Sequence, residues 1–137
     1  MLILKKILFL FFTFTLLSCG ESVSIQKERL KLTNIVVTTS GSDEVNSFCR
    51  KFNLSDKQAL LYFEKSFVVT EKIMHDKYDY LSCFVNGTSS LKNSSCEWEI
   101  RAGGTAEVIC GKTNYLLACD KCDDLLRDSD QVTHSLR

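Results

Sequence analysis

Cysteine is the residue type with the most chemistry to offer in this 137-residue sequence, and the closest pair of the seven is Cys119-Asp120-Lys121-Cys122. Two thiols separated by two residues at the junction of a strand and a helix can cycle between dithiol and disulfide, because a helix N-terminus favours the thiolate. The surroundings argue for a structural bridge instead. Asp120, Asp123 and Asp124 disfavour a thiolate, no aromatic residue stands immediately before Cys119, and a chain without proline has no cis-prolyl loop to present a substrate. Cys96, Cys110, Cys119 and Cys122 have the ligand chemistry for zinc. Structural zinc, however, usually shows two close-spaced pairs, and only one CxxC is present. His75 with Asp76, Asp79 and Cys83 has the residue types of a nucleophile and its base, but the setting is a charged, exposed connection and Cys83 is better used in a bridge. Asp120, Asp123, Asp124, Asp128 and Asp130 lack the alternation and the glycine of a calcium loop. Gly103-Gly104 lies between two strands rather than opening a helix, so it is a turn and not a phosphate cradle. The expected set is therefore no catalytic group, no metal and no cofactor.

One cysteine stands apart. Lys5 and Lys6 precede an apolar run from Ile7 to Leu17, broken only by Thr13 and Thr15, with no acid before Glu21. Crossing a bilayer takes about 20 apolar residues, so this run is too short to span and matches the hydrophobic region of a secretory signal. Leu16-Leu17-Ser18-Cys19 resembles the lipobox of bacterial lipoproteins, with an aliphatic residue at −3, a small one at −1 and the invariant cysteine. That resemblance implies diacylglyceryl attachment to Cys19, cleavage after Ser18 and acylation of the freed amine. Several acyl chains, at about 0.8 kcal/mol per buried CH₂, anchor stably where one would not. It also implies the cell envelope of a Gram-negative bacterium. Because Gly20 is not the Asp associated with inner-membrane retention, the outer membrane facing the periplasm is the expected site.

Setting Cys19 aside leaves Cys49, Cys83, Cys96, Cys110, Cys119 and Cys122, an even set that suits three disulfides in an oxidising compartment. The charge balance narrows the partners. The signal holds two of the 17 basic residues and none of the 17 acidic ones, so the mature chain is slightly negative. It has no basic stripe for nucleic acid and no cationic surface for anionic lipid. The membrane is reached through the lipid on Cys19 alone.

The elements that must position the six cysteines follow from periodicity. Residues 19–31 are polar and of mixed charge, a tether ahead of a single domain at 32–128, with a flexible tail at 129–137. Leu32 to Thr39 is rich in β-branched residues and reads as extended, ending at Gly41. Val45, Phe48, Cys49 and Phe52 recur at helical spacing. Ser55-Asp56-Lys57-Gln58 has the capping-box pattern that opens a second helix carrying Leu60, Phe63 and Phe67, with Ala59 and Tyr62 beside them. That helix weakens near Phe67-Val68-Val69-Thr70, where branched residues favour an extended course. These two segments predict an N-terminal αα-hairpin.

From Tyr80 the period is two, ending at Asn86-Gly87. A three-residue loop at Ala102-Gly103-Gly104 then sets Arg101 opposite Thr105, Ile100 opposite Ala106, Trp98 opposite Val108 and Cys96 opposite Cys110. This puts the apolar side chains on one side and Glu97, Glu99, Arg101 and Glu107 on the other. Opposed cysteines predict a Cys96–Cys110 bridge. Asn114 to Cys119 reads as a further strand and Asp120 to Arg127 as a short acidic helix. The predicted fold is α+β, a helical hairpin packed on an antiparallel meander of about four strands, stapled by disulfides.

Cys83-Phe84-Val85-Asn86-Gly87, Trp98-Glu99-Ile100-Arg101-Ala102-Gly103-Gly104-Thr105 and Tyr115-Leu116-Leu117-Ala118-Cys119-Asp120-Lys121-Cys122, with Phe63 and the approach from Asp76, are similar to an uncharacterised domain of small exported bacterial proteins. The likeness runs over about residues 42–126. It bears on fold and transfers no site. The function expected is a membrane-anchored, non-enzymatic binding module with a protein partner, of which an immunity or inhibitor protein is one form. The alternative is a thiol–disulfide oxidoreductase using Cys119 and Cys122.

Overall fold

A computed structural model describes residues 27–45, 49 and 51–127. Nine elements follow in the order β1 (Leu32–Ser42), α1 (Asp56–Lys65), β2 (Phe67–Val69), α2 (Glu71–Lys77), β3 (Cys83–Leu91), β4 (Ser94–Arg101), β5 (Thr105–Cys110), β6 (Thr113–Ala118) and α3 (Asp123–Leu126). The six strands form one antiparallel sheet in the order β1-β3-β4-β5-β6-β2.

This corrects the expected architecture. The domain is a six-stranded sheet carrying short helices, not a helical hairpin on a four-stranded meander. The first helix of that hairpin falls partly outside the described residues, at 46–48 and 50. What is described, Cys49 and Lys51, lies in a short 3₁₀ turn that returns the Phe52 N–H to the Cys49 carbonyl at 3.2 Å. Of the residues at helical spacing, Cys49 and Phe52 reach the core from a turn, while Val45 stands in solvent. Phe67 leaves the second helix altogether and begins β2, pairing with Ala118.

Where local chemistry is strong, the sequence and the fold agree. Ser55 caps α1 through the Gln58 N–H while the Gln58 side chain returns to the Ser55 N–H, the reciprocal capping box. The β4–β5 hairpin has the register deduced from its loop: Ile100 opposite Ala106, Trp98 opposite Val108, Cys96 opposite Cys110. Gly104 takes φ +88° to close that loop, a conformation open to glycine.

Two strands differ. β3 does not end at Asn86-Gly87 but runs to Leu91. Gly87 sits mid-strand because a Cβ there would run into the Trp98 ring and the Val36 carbonyl. Its job is to admit the indole rather than to turn the chain. β1 pairs with β3 and carries two register shifts, between Thr33 and Val36 and between Val37 and Thr39, with Asn34 at φ 52°.

Those bulges accompany a curled sheet. β1 and β2 are the two edges, about 24 Å apart if six strands lay flat at about 4.8 Å spacing. Yet the Val68 N–H on the free side of β2 donates to the Glu28 carbonyl at 2.8 Å, only four residues before β1 begins. Four residues reach at most about 14 Å, so the edges must approach. Residues 27–31, expected to finish the tether, lie against the fold. Lys27 pairs with Asp120 at 2.7 Å and sits 3.7 Å above the Phe67 ring, while Arg29 bonds the Glu64 carbonyl.

The concave face holds the core. α1 buries Ala59, Tyr62 and Phe63 against Val85, Trp98, Ile100, Val108 and Leu117. Phe63 meets both Tyr62 and Trp98 edge-on at 5.4 Å, an arrangement that suits ring quadrupoles. The polar tips are satisfied: the Tyr62 hydroxyl donates to the Gly104 carbonyl and the Trp98 indole N–H to the Thr88 carbonyl, each at 2.9 Å. A smaller cluster of Phe67, Val69 and Ala118, joined by Met74, Tyr78 and Leu116, lies on the opposite face under α2.

Candidate functional site

The six cysteines of the domain form three bridges, Cys49–Cys83, Cys96–Cys110 and Cys119–Cys122. Each holds a different joint. Cys49–Cys83 ties the turn after β1 to the start of β3. Cys96–Cys110 joins directly opposed residues whose Cα atoms lie 4.2 Å apart, the spacing of a narrow antiparallel pair site. Cys119–Cys122 closes the link from β6 to α3.

The bridges take up every cysteine among the candidates within the domain. Cys96, Cys110, Cys119 and Cys122 are consumed in two separate bridges. Among the described residues no group of three or more His, Cys, Asp or Glu stands ready to hold a metal ion. Cys119 and Cys122, bridged to each other, are buried, 5% and 1% exposed. His75 lies on α2 with its side chain 92% exposed and only Asp76 nearby, at 3.6 Å. Cys83, its supposed nucleophile, is bridged to Cys49. Cys19 lies outside the described residues.

What the structure does assemble was not among those candidates. Arg101, the one cation on the outer face of the hairpin, binds Asp43 through Nη1 at 2.7 Å, the Leu81 carbonyl at 3.2 Å and Glu99 through Nη2 at 2.6 Å. Tyr80 stacks on the guanidinium at 4.4 Å and donates its hydroxyl to Asp43. The Arg101 hydrogen bond, followed by that of Tyr80, holds the Asp43 carboxyl below its ordinary range. The same carboxylate pushes the Tyr80 phenol up. The group joins the end of β1, the segment before β3 and the end of β4.

Beside it, α2 and Tyr78–Tyr80 stand off the sheet and leave a hollow of about 580 Å³. Met74, Tyr78 and Leu116 supply apolar surface, and Glu71, Asp79, Glu99 and Glu107 supply carboxylates. A second hollow of about 340 Å³ adjoins it, shares Glu99 and Glu107, and adds Glu97 and Asn86. One end is pinned by Asp120, which accepts from Tyr78 at 2.5 Å and pairs with Lys27. Lys27 first, then Tyr78, lowers the Asp120 carboxyl, while burial and then Asp120 raise the Tyr78 phenol to about 12. A signal for the hollow did exist in the sequence: Glu97, Glu99 and Glu107 fall on the same side of the deduced hairpin, an acidic face with a single arginine. The wall that turns this face into a hollow, α2, was expected only as an exposed connection.

No protein-family model matches the chain, and neither a curated protein nor a solved structure matches it.

Proposed function

We propose that the chain is an exported lipoprotein, held to the bacterial envelope through lipid on Cys19, whose disulfide-stapled domain acts as a binding module for another protein. The observation that carries this reading is the cysteine pairing. All six cysteines of the domain bridge one another, so none is left to bridge the seventh, and Leu16-Leu17-Ser18-Cys19 has the pattern in which that seventh cysteine is alkylated. Three bridges suit an oxidising compartment and a rigid platform of modest core size. No helix among the described residues is long and apolar enough to cross a membrane. A binding role draws support from the hollow beside Arg101, and Cys83, whose thiol is committed to a bridge, is no free nucleophile for His75.

Intact mass of the native, membrane-extracted protein, with mass mapping under non-reducing conditions, tests the anchor. A diacylglyceryl mass on Cys19, loss of residues 1–18 and three intact bridges are expected. Recovery of the unmodified full-length chain in the soluble fraction overturns the reading.

A further inference from the structure

We infer that the hollow between α2 and the sheet docks a basic segment of the partner protein, seating a lysine or arginine side chain against Glu99 and Glu107; this deepens the binding-module reading and rests on it. Charge complementarity commits the occupant. Five carboxylates (Glu71, Asp79, Glu97, Glu99 and Glu107) line the two adjoining hollows of a near-neutral protein, against the single guanidinium of Arg101. That guanidinium is already taken by Asp43 and Glu99. Among the described residues no cation lies within ion-pair distance of Glu71, Asp79, Glu97 or Glu107.

Glu99 and Glu107 are direct register partners on β4 and β5, and like charges set opposite one another on a ladder repel. Arg101 offsets the Glu99 charge at 2.6 Å, while Glu107 accepts from the neutral Asn114 amide and, among the described residues, has no cation beside it. A cation seated at Glu107 supplies the missing counter-charge. The walls suit the rest of a basic side chain: Met74, Leu116 and Tyr78 accept an aliphatic stem. The exposed Tyr80 ring, which already holds one guanidinium, is a surface that attracts cations. The size points to a stretch of polypeptide rather than an ion, since about 580 Å³ exceeds any single side chain and the adjoining hollow extends it. Acidic clefts of this kind also speed the encounter with a basic partner, an effect that falls with ionic strength.

The experiment uses the full chain, extracted in a nonionic detergent, and a fluorescein-labelled peptide of alternating lysine and alanine followed by anisotropy. The Glu99→Gln/Glu107→Gln variant should bind about tenfold more weakly at low salt, as expected for losing two charges at close range in a watery cleft. An Asp123→Asn/Asp124→Asn control, which removes two acids outside the hollow, should change binding less than twofold. Carbodiimide coupling of the peptide amines to the unaltered protein should map to Glu71, Asp79, Glu99 or Glu107, a readout that does not depend on any variant folding. Absence of binding, equal loss in both variants, coupling spread over Asp123 and Asp124, or preference for spermidine over the peptide would overturn the inference. Lipid on Cys19 is measured separately, so a failure here is distinguishable from a failure of the anchored-module reading.

Discussion

Cys96, Trp98 and Ile100 point from β4 toward α1, while Glu97, Glu99 and Arg101 lie on the opposite face, where the two hollows are. The first set is closed. Rings meet edge-on, Gly87 gives up its side chain to admit the indole, and a bridge joins Cys96 to its partner across the ladder. The second set is half covered. α2 shields only the β2–β6 end, and the middle of the face keeps a directly opposed pair of carboxylates. One strand thus serves packing and recognition on alternate residues. The two roles should respond to different substitutions.

The largest effect is expected on the closed face. Trp98→Ala should cost about 3–5 kcal/mol, the usual range for removing a buried aromatic ring, read as a shift in denaturant midpoint. Gly87→Ala belongs to the same class, because the added methyl meets ring and backbone together. Next come the bridges. Loop closure predicts losses of about 4, 3 and 1.5 kcal/mol on removing Cys49–Cys83, Cys96–Cys110 and Cys119–Cys122, whose sequence separations are 34, 14 and 3. Serine double variants compared by thermal melting would sharpen the contrast, and a reversed order would break it.

The open face should yield smaller numbers. Arg101→Met should destabilise by only about 1 kcal/mol, since its ion pairs are partly solvated, while changing the spectroscopic titration of Tyr80. Acid sharpens the same point. Asp43 and Asp120 have folded pKa values below their ordinary one. Their contribution is therefore present above the unfolded value, near 4, and lost as pH falls through the folded values. Stability measured along a pH series should drop below about 4, and Asp43→Asn should flatten that drop. The smallest change carries the opposite sign: Glu107→Gln relieves the opposed carboxylates and should stabilise by about 0.2–0.5 kcal/mol in chemical denaturation.

The β4–β5 hairpin was legible because its information is local. Loop length, glycine position and period-two alternation all lie within Cys96–Cys110, and a one-residue slip would turn Trp98 into solvent. The capping box at Ser55 and Gln58 was legible for the same reason. α2 was not, because Glu71–Lys77 has no apolar stripe of its own. It folds with Thr70 as its cap and with Met74 and Tyr78 resting on Phe67, Val69 and Leu116. Phe67 was misplaced because a β-branched run after a helix does not announce which strand it will join.

By itself, then, the sequence determined the hairpin with its two chemically distinct faces, the start of α1, and an even set of six domain cysteines beside a separate Cys19. Tertiary structure alone decided the six-strand order, the curl that brings Glu28 to β2, the partners of Cys49, and the hollow itself. The Arg101–Asp43 pair that borders the hollow spans 58 residues. Contacts at that separation arise only once the intervening strands have paired, and no period or motif within a short window encodes them.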